Sequence, residues 1–448
     1  MNPDSSGFKN DFIFGVATSS LQIEGSLDAD GRGPSIWDER FLKEGEGVNS
    51  YLRLQEDIEA LKKLGVKAYR FSISWTRLFP KGIGEKNPLG FTYYDALVDH
   101  LLKNGITPFV TLFHWDYPLC LENRGGWLHK DSPLWFQQYA SEVAKHFKGR
   151  VKNYITINEP ECFVELGYKV GVMAPFKKLD RKTVLMIGEN VMKASALAFD
   201  AIKNVDPLAK VSFAGTYTPA YPFDKSNPQD IEAARRCNFS PFGRDDLFNI
   251  SYWADPMLLG EFNQEWLKAY GCSYVPHCEA QIDIKRDYDF LSLNLYHGYQ
   301  VRAGEKGPLW VEKKGVNKNS LGWEIHPEAL YYGPLFCYER YHKSILISEN
   351  GTCYEDRLIE GKIPDQFRIE YLHDYLINLK RVSYEIPVVG YFYWSLIDNF
   401  EWSNGYSPRF GLIYCDYERE GKRIEKDSFS YFSKIIATNG RLLEERHK

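Results

Sequence analysis

The chain is poor in cysteine, has no long apolar run and carries no block of one charge. Eight cysteines are scattered over 448 residues, none in CxxC spacing, with Cys272 and Cys278 the closest pair. That spacing argues against a disulfide framework or a zinc site and suits the reduced thiols of a cytosolic protein. No apolar run approaches the ~18 residues of a membrane-spanning helix, so no membrane partner is expected. The opening residues MNPDSSGFKND hold Asp4, Lys9 and Asp11 and no apolar core, which excludes an ordinary secretory signal and predicts a cytoplasmic location. The net charge of −5 and the lack of a basic run exclude the usual nucleic-acid-binding face. No HExxH, GxSxG or metal-ligand spacing occurs, so neither a metal nor an organic cofactor is expected. Three N-x-S/T triplets, at Asn238, Asn249 and Asn350, read as coincidence, and Asn350 as a poor place for a glycan.

Repeats, low-complexity segments and Pro/Gly/Ser linkers are also missing. What is there is a rhythm of strand and helix. In QEDIEALKKLG, Leu54, Ile58, Leu61 and Leu64 share one helical face, and Gly65 ends it. Tyr94, Leu97, Val98, Leu101 and Leu102 repeat the device before Gly105, and Leu372, Tyr375, Leu376 and Leu379 mark a later helix. Eight strands are predicted near Phe12–Ala17, Ala68–Ser72, Thr107–Thr111, Asn153–Asn158, Lys210–Thr216, Phe290–Asn294, Ile345–Glu349 and Val388–Trp394. Eight alternating units predict a single (β/α)8 TIM barrel over residues 1–448, with long βα loops. The competing doubly wound sheet would need a glycine-rich phosphate turn after its first strand, and FIFGVATSSLQIEG is not one. Aromatic residues make up 15% of the chain. They suit a large core and equally suit carbohydrate, whose C–H faces stack on rings.

Barrel enzymes gather their chemistry at the C-terminal ends of the strands. Here those ends carry Gln22, Arg70, His114, Asn158-Glu159, Asn294 with Tyr296, Glu349-Asn350 and Trp394, with Glu401-Trp402 a short loop later. Glu159 and Glu349 each follow an apolar strand, and strands four and seven face each other across the rim. Two facing carboxylates among aromatics and amides fit glycoside hydrolysis: one protonates the leaving oxygen and the other meets the cation-like anomeric carbon. A gap of ~5–5.5 Å would mean retention of configuration. The Glu349 anion should raise Glu159 to ~6–7.

The segments FIFGVATSSLQIEG, GRGPSIWD, YRFSISWTRLFP, TLFHWD, TINEP, DFLSLNLY, GWEIHPEAL, ISENG and YFYWSLIDNFEW resemble glycoside hydrolase family 1, the β-glucosidase family, over nearly the whole chain. The resemblance implies a retaining enzyme acting on small-molecule β-D-glucosides, with galactosides or fucosides as further substrates, and without metal or cofactor. It implies Glu159 as acid/base and Glu349 as nucleophile. Asn158 would hold the sugar 2-hydroxyl, and Arg70 and Tyr296 would orient Glu349 and keep it ionised. Gln22, His114, Glu401 and Trp402 would bind the ring and Trp394 would floor it. Asn294 would support the catalytic pair, and Trp323 would wall the leaving-group side.

Departures from the pattern sit near the mouth. Glu161 follows the NEP triplet where an aromatic or small residue is usual, and Met173-Ala174-Pro175-Phe176 replaces His-Ala-Pro-Gly. Two readings of Glu161 arise: an outward, solvated carboxylate, or one that repels anionic leaving groups. Phe176 either faces outward or narrows the cleft. A 6-phospho-β-glycosidase is the nearest alternative, with Ser403 and Arg409 as its candidate phosphate contacts. A silent sugar-binding homologue is the other, and it would have been expected to lose a catalytic carboxylate.

Overall fold

The computed structural model describes residues 7–44, 47–241, 246–271, 283–419 and 421–447. Eight parallel strands close a barrel: β1 (Ile13–Ala17), β2 (Ala68–Ser72), β3 (Thr107–Phe113), β4 (Asn153–Asn158), β5 (Lys210–Thr216), β6 (Leu291–Asn294), β7 (Ile345–Asn350) and β8 (Val388–Trp394). Each pairs with its sequence neighbours, and β1 closes on β8 with Ile13 opposite Gly390 and Ala17 opposite Trp394. The strands are buried on both faces, as expected when helices cover a parallel sheet, and so read as apolar runs. Ala17, Ala68, Phe109, Leu346 and Phe392 pack inside the barrel.

Eight helices alternate with the strands: α1 (Leu54–Leu64), α2 (Pro88–Lys103), α3 (Ser132–His146), α4 (Arg181–Val205), α5 (Pro228–Phe239), α6 (Ala329–Tyr341), α7 (Gln366–Ser383) and α8 (Asp427–Ala437). On α1, Ile58, Leu61 and Leu64 are buried, and Gly65, at φ +82°, donates its N–H to the carbonyls of Leu61 and Lys62. On α7 the four predicted apolar residues are fully buried. On α2 the prediction fails at one position: Leu102 is exposed, because the face that meets the barrel ends at Leu101. Long βα loops build further structure at the rim, including a three-stranded sheet of Ala220–Pro222, Tyr299–Arg302 and Leu309–Val311. No helix among the described residues is long and apolar enough to cross a membrane.

Six cysteines are free thiols, while Cys272 and Cys278 lie outside the described residues. The three triplet asparagines are all buried. Asn350 donates to the Leu295 carbonyl (2.6 Å) and to the Tyr371 hydroxyl (2.7 Å), which leaves no room for a glycan.

The loop after β8 is anchored by a buried ion network. Asp398 accepts from Arg409 (2.7 Å), from Lys426 (2.6 Å) and from the Gly411 N–H (2.9 Å). Lys426 also pairs with Asp356, which accepts from Arg368 (2.9 Å), and Arg368 pairs with Asp365. Three cations meet three carboxylates, joining the loops after β7 and β8 to the starts of α7 and α8. Removing one partner of such a set leaves a buried charge uncompensated. Lys426→Met should therefore destabilise the fold by about 3–5 kcal/mol, read as a lower urea midpoint and melting temperature.

Candidate active site

Glu159 follows β4 directly and holds a left-handed backbone, φ +44°, uncommon for a residue with a side chain. Its N–H is fixed by the Ala214 carbonyl (2.8 Å), and Pro160 then opens the helix Pro160–Val164. Trp115 and Trp402 share this conformation, at φ +78° and +51°. Such residues cluster where a fixed geometry is functional. At the end of β7, Gly351 is forced by a close approach: a Cβ there would lie 1.9 Å from the Trp394 carbonyl oxygen.

Arg70, buried on β2, reaches across the barrel mouth. Its Nη1 donates to Glu349 Oε1 (2.5 Å) and to the Ser348 carbonyl (3.1 Å). Nη2 donates to Asn158 Oδ1 (2.6 Å), and Nε to Thr111 (3.0 Å). The Tyr296 hydroxyl donates to the other Glu349 oxygen (2.6 Å). Burial raises the Glu349 carboxyl above its ordinary value, and Arg70 and Tyr296 pull it back.

No cation pairs directly with Glu159 among the described residues. Asn294 Nδ2 donates to its Oε1 (2.8 Å) and also to Asn158 Oδ1 (3.0 Å), and Asn294 is itself held by the Ser348 hydroxyl (2.6 Å). The Glu159 carboxyl is pushed up to about 8, by burial first and by the Glu349 charge second. The direction matches the sequence reading, but the main cause is burial rather than the neighbouring anion. The two carboxyls are thus driven apart, one paired and one able to hold a proton at neutral pH.

Around them lies an aromatic cradle. His114 stacks between Trp394 (5.6 Å between centroids) and Trp402 (5.9 Å), and Trp402 packs against Trp115 (4.6 Å). Burial, then Arg70, lowers the His114 pKa well below its usual value, so the ring is neutral. Asn158 Nδ2 donates to its Nε2 (3.3 Å), leaving Nδ1 buried without a partner. Glu401 Oε2 is likewise buried and unpartnered, and its carboxyl is pushed up to about 8 by burial and then by Glu349 and Glu159. Trp323 is half-buried beside Tyr296 (5.5 Å) and His297 (5.3 Å). The fold thus brings together eleven of the twelve residues singled out in the sequence by contact, stacking or charge.

Gln22 is the twelfth, and its bonds point inward. Its amide donates to Asn399 (3.0 Å) and to the Phe400 carbonyl (2.8 Å), and its oxygen accepts from Ser19 (2.6 Å). Both hydrogens are used in holding the loop that carries Glu401, and only one lone pair of Oε1 is left over.

Both sequence readings of Glu161 are corrected. Its side chain is neither solvated nor in the mouth: it is fully buried, against Gly215 and Ile250 on the side of β5, with both oxygens unpartnered. Burial raises its carboxyl well above the usual range. Phe176 is 46% exposed and packs edge-on against Trp37 (5.8 Å). The two candidate phosphate contacts are occupied elsewhere: Ser403 donates to the Val172 carbonyl, and Arg409 pairs with Asp398. Sequence reasoning missed Trp115, whose Nε1 donates to the Asn158 carbonyl (2.9 Å) and whose place in the HWD motif was a usable signal. It also missed Cys162, which touches Glu159, and His297 behind Trp323; neither had such a signal.

Comparison with known proteins agrees with this geometry. The chain matches glycosyl hydrolase family 1 over residues 4–441. It is 38% identical to a 1,4-beta-D-glucan glucohydrolase of Thermotoga neapolitana over 97% of this chain and 99% of that one. It is 37% identical to beta-glucosidase A of Thermotoga maritima, over 97% and 98%. The structure of a Thermotoga maritima beta-glucosidase in complex with deoxynojirimycin superposes with a TM-score of 0.87 at 36% identity, over 97% and 99% of the two chains. The chain is a member of glycosyl hydrolase family 1.

Proposed function

We propose that this chain is a retaining β-glucosidase, acting as one catalytic barrel on small β-D-glucosides. The observation that carries the reading is the inequality of two buried carboxyls: Glu349 is paired with Arg70, and Glu159 is held by neutral donors. In the first step a Glu349 oxygen bonds to the anomeric carbon while the glycosidic bond breaks, and the Glu159 proton passes to the departing oxygen. In the second, water bonds to that carbon, its proton goes to Glu159, and the ester electron pair returns to Glu349. Asn158, held by Arg70 and His114, is set to grip the sugar 2-hydroxyl. The unpartnered His114 Nδ1 is a donor and the unpartnered Glu401 oxygen an acceptor, both of which ring hydroxyls would satisfy. Trp394 and Trp402 supply the stacking faces, and Trp323 the wall for the leaving group.

A neutral sugar is favoured over a 6-phosphate, because no cation pairs with Glu401 among the described residues and the candidate phosphate contacts Ser403 and Arg409 are engaged by Val172 and Asp398. Buried triplet asparagines and free thiols support a cytoplasmic setting.

Four outcomes test the reading. Time-resolved proton NMR should show β-glucose as the first product, and Glu349→Gly should lose most activity and regain turnover with azide as α-glucosyl azide. Early α-glucose would exclude Glu349 as nucleophile. The pH profile of kcat/KM should be bell-shaped, falling on the alkaline side near pH 8 as Glu159 loses its proton and on the acid side as Glu349 gains one. Glu159→Gln should cost roughly 10²–10⁴-fold on poor leaving groups and far less on dinitrophenyl glucoside; equal losses would remove its acid role. Finally, p-nitrophenyl β-glucoside should be cleaved at least about 100-fold faster than its 6-phosphate, a difference of about 2.7 kcal/mol. The reverse preference would overturn the neutral-sugar assignment.

A further inference from the structure

Cys162 lies in the first turn of the helix Pro160–Val164, half-buried beside the carboxyl of Glu159. Its backbone N–H donates to the Glu159 carbonyl (3.0 Å), and that turn folds the side chain back so that Sγ lies 3.3 Å from Glu159 Oε2. The two oxygens of Glu159 therefore meet unequal donors. Oε1 takes an amide N–H from Asn294 at 2.8 Å, and Asn294 is itself fixed by Ser348. Oε2 takes a thiol S–H, a much weaker donor.

We propose that Cys162 is a positioning residue for the catalytic carboxyl of Glu159, its thiol marking Oε2 as the oxygen that gives and takes the proton.

The reasoning rests on the glucosidase reading above and runs through elementary hydrogen-bond chemistry. A carboxylic acid carries its hydrogen on the oxygen whose lone pairs are less engaged, which here is Oε2. In the first step that hydrogen passes from Oε2 to the glycosidic oxygen. In the second, Oε2 accepts a proton from water, and an S–H donor steadies the anion during the interval when it is charged. An oxygen or nitrogen donor at the same place would hold the anion harder and make Glu159 a poorer base. No donor would leave Oε2 without support and make Glu159 a poorer acid. A thiol lies between the two.

The other charged and titratable groups facing Glu159 are Glu349 from β7, Arg70 from β2, Tyr296 and Glu401 from the loops after β6 and β8, and Glu161 from its own helix. None of them donates a hydrogen bond to Oε2 among the described residues. The thiol stays protonated and able to donate, since burial and then Glu159 and Glu161 raise it well above the ordinary cysteine value.

The test compares wild type, Cys162→Ala and Cys162→Ser in the pH profile of kcat/KM on p-nitrophenyl β-glucoside. Rates are normalised by active-site titration with a 2-deoxy-2-fluoroglucoside that traps the glycosyl-enzyme, so that misfolded protein is not counted. Loss of the donor in Cys162→Ala should move the alkaline limb up by roughly half a pH unit, and the stronger hydroxyl donor in Cys162→Ser should move it down by a similar amount. On dinitrophenyl glucoside, where breakdown of the glycosyl-enzyme sets the rate and Glu159 acts as base, kcat should be kept in Cys162→Ala and fall about 3-fold in Cys162→Ser. Opposite shifts follow donor strength, which a merely space-filling residue would not produce. Limbs that coincide with wild type, or that move the same way in both variants, overturn the inference alone. A wild type with no bell-shaped glucoside profile overturns the glucosidase reading and this inference with it.

Discussion

One buried guanidinium organises the mouth of the barrel. Arg70 ties β2 to β3 through Thr111, to β4 through Asn158 and to β7 through Glu349 and the Ser348 carbonyl. In a site shielded from water an ion pair is far stronger than at a surface, and so is the cost of a charge without one. That single cation is enough for a single carboxylate. Its placement on Glu349 rather than Glu159 separates the two acids, and in the proposed mechanism that separation would let one attack while the other holds a proton. Asn158 and Asn294 extend the arrangement: Asn158 accepts from Arg70 and from Asn294, and Asn294 donates in turn to Glu159.

The rest of the structure keeps those few atoms in place. Glu401 and Trp402 stand on the loop after β8, which would be free to swing without support. Gln22 grips it from β1's side through Asn399 and Phe400, and Asp398 anchors it from behind. Gly351 allows the ends of β7 and β8 to approach closely enough for Trp394 to lie beside Glu349's strand. Part of the fold's conformational expense lies at this rim, where Trp115, Glu159 and Trp402 all hold left-handed backbones.

The barrel was plain in the sequence because parallel strands buried on both faces leave unbroken apolar runs. Four strands have the predicted bounds; β3 runs on to Phe113 and β7 to Asn350, while β1 and β6 start one residue later. Periodicity was less reliable for Leu102, since a helix at the edge of its contact with the barrel shows an apolar residue the packing does not use. Residues at strand ends were legible because the barrel decides where they point. Glu161 was not, because it follows a left-handed residue and a proline, and no periodic rule carries direction through such a corner. Cys162 was hidden by its chemistry: a sulfur at irregular spacing looks like any other thiol until its neighbour is known. The inward bonds of Gln22 depend on Asn399 and Phe400, which lie more than 370 residues away.

The rim's aromatic packing has an optical consequence. Trp402 sits 4.8 Å from Trp37 and 4.6 Å from Trp115 between ring centroids, and His114 stacks on its other side. Indoles so close and held at fixed tilts couple their electronic transitions and so contribute to the near-ultraviolet circular dichroism. A sugar bound in the cradle as proposed would touch one member of the coupled set and change the spectrum of the others. On that reading the protein would carry a built-in reporter of occupancy, legible without label or turnover.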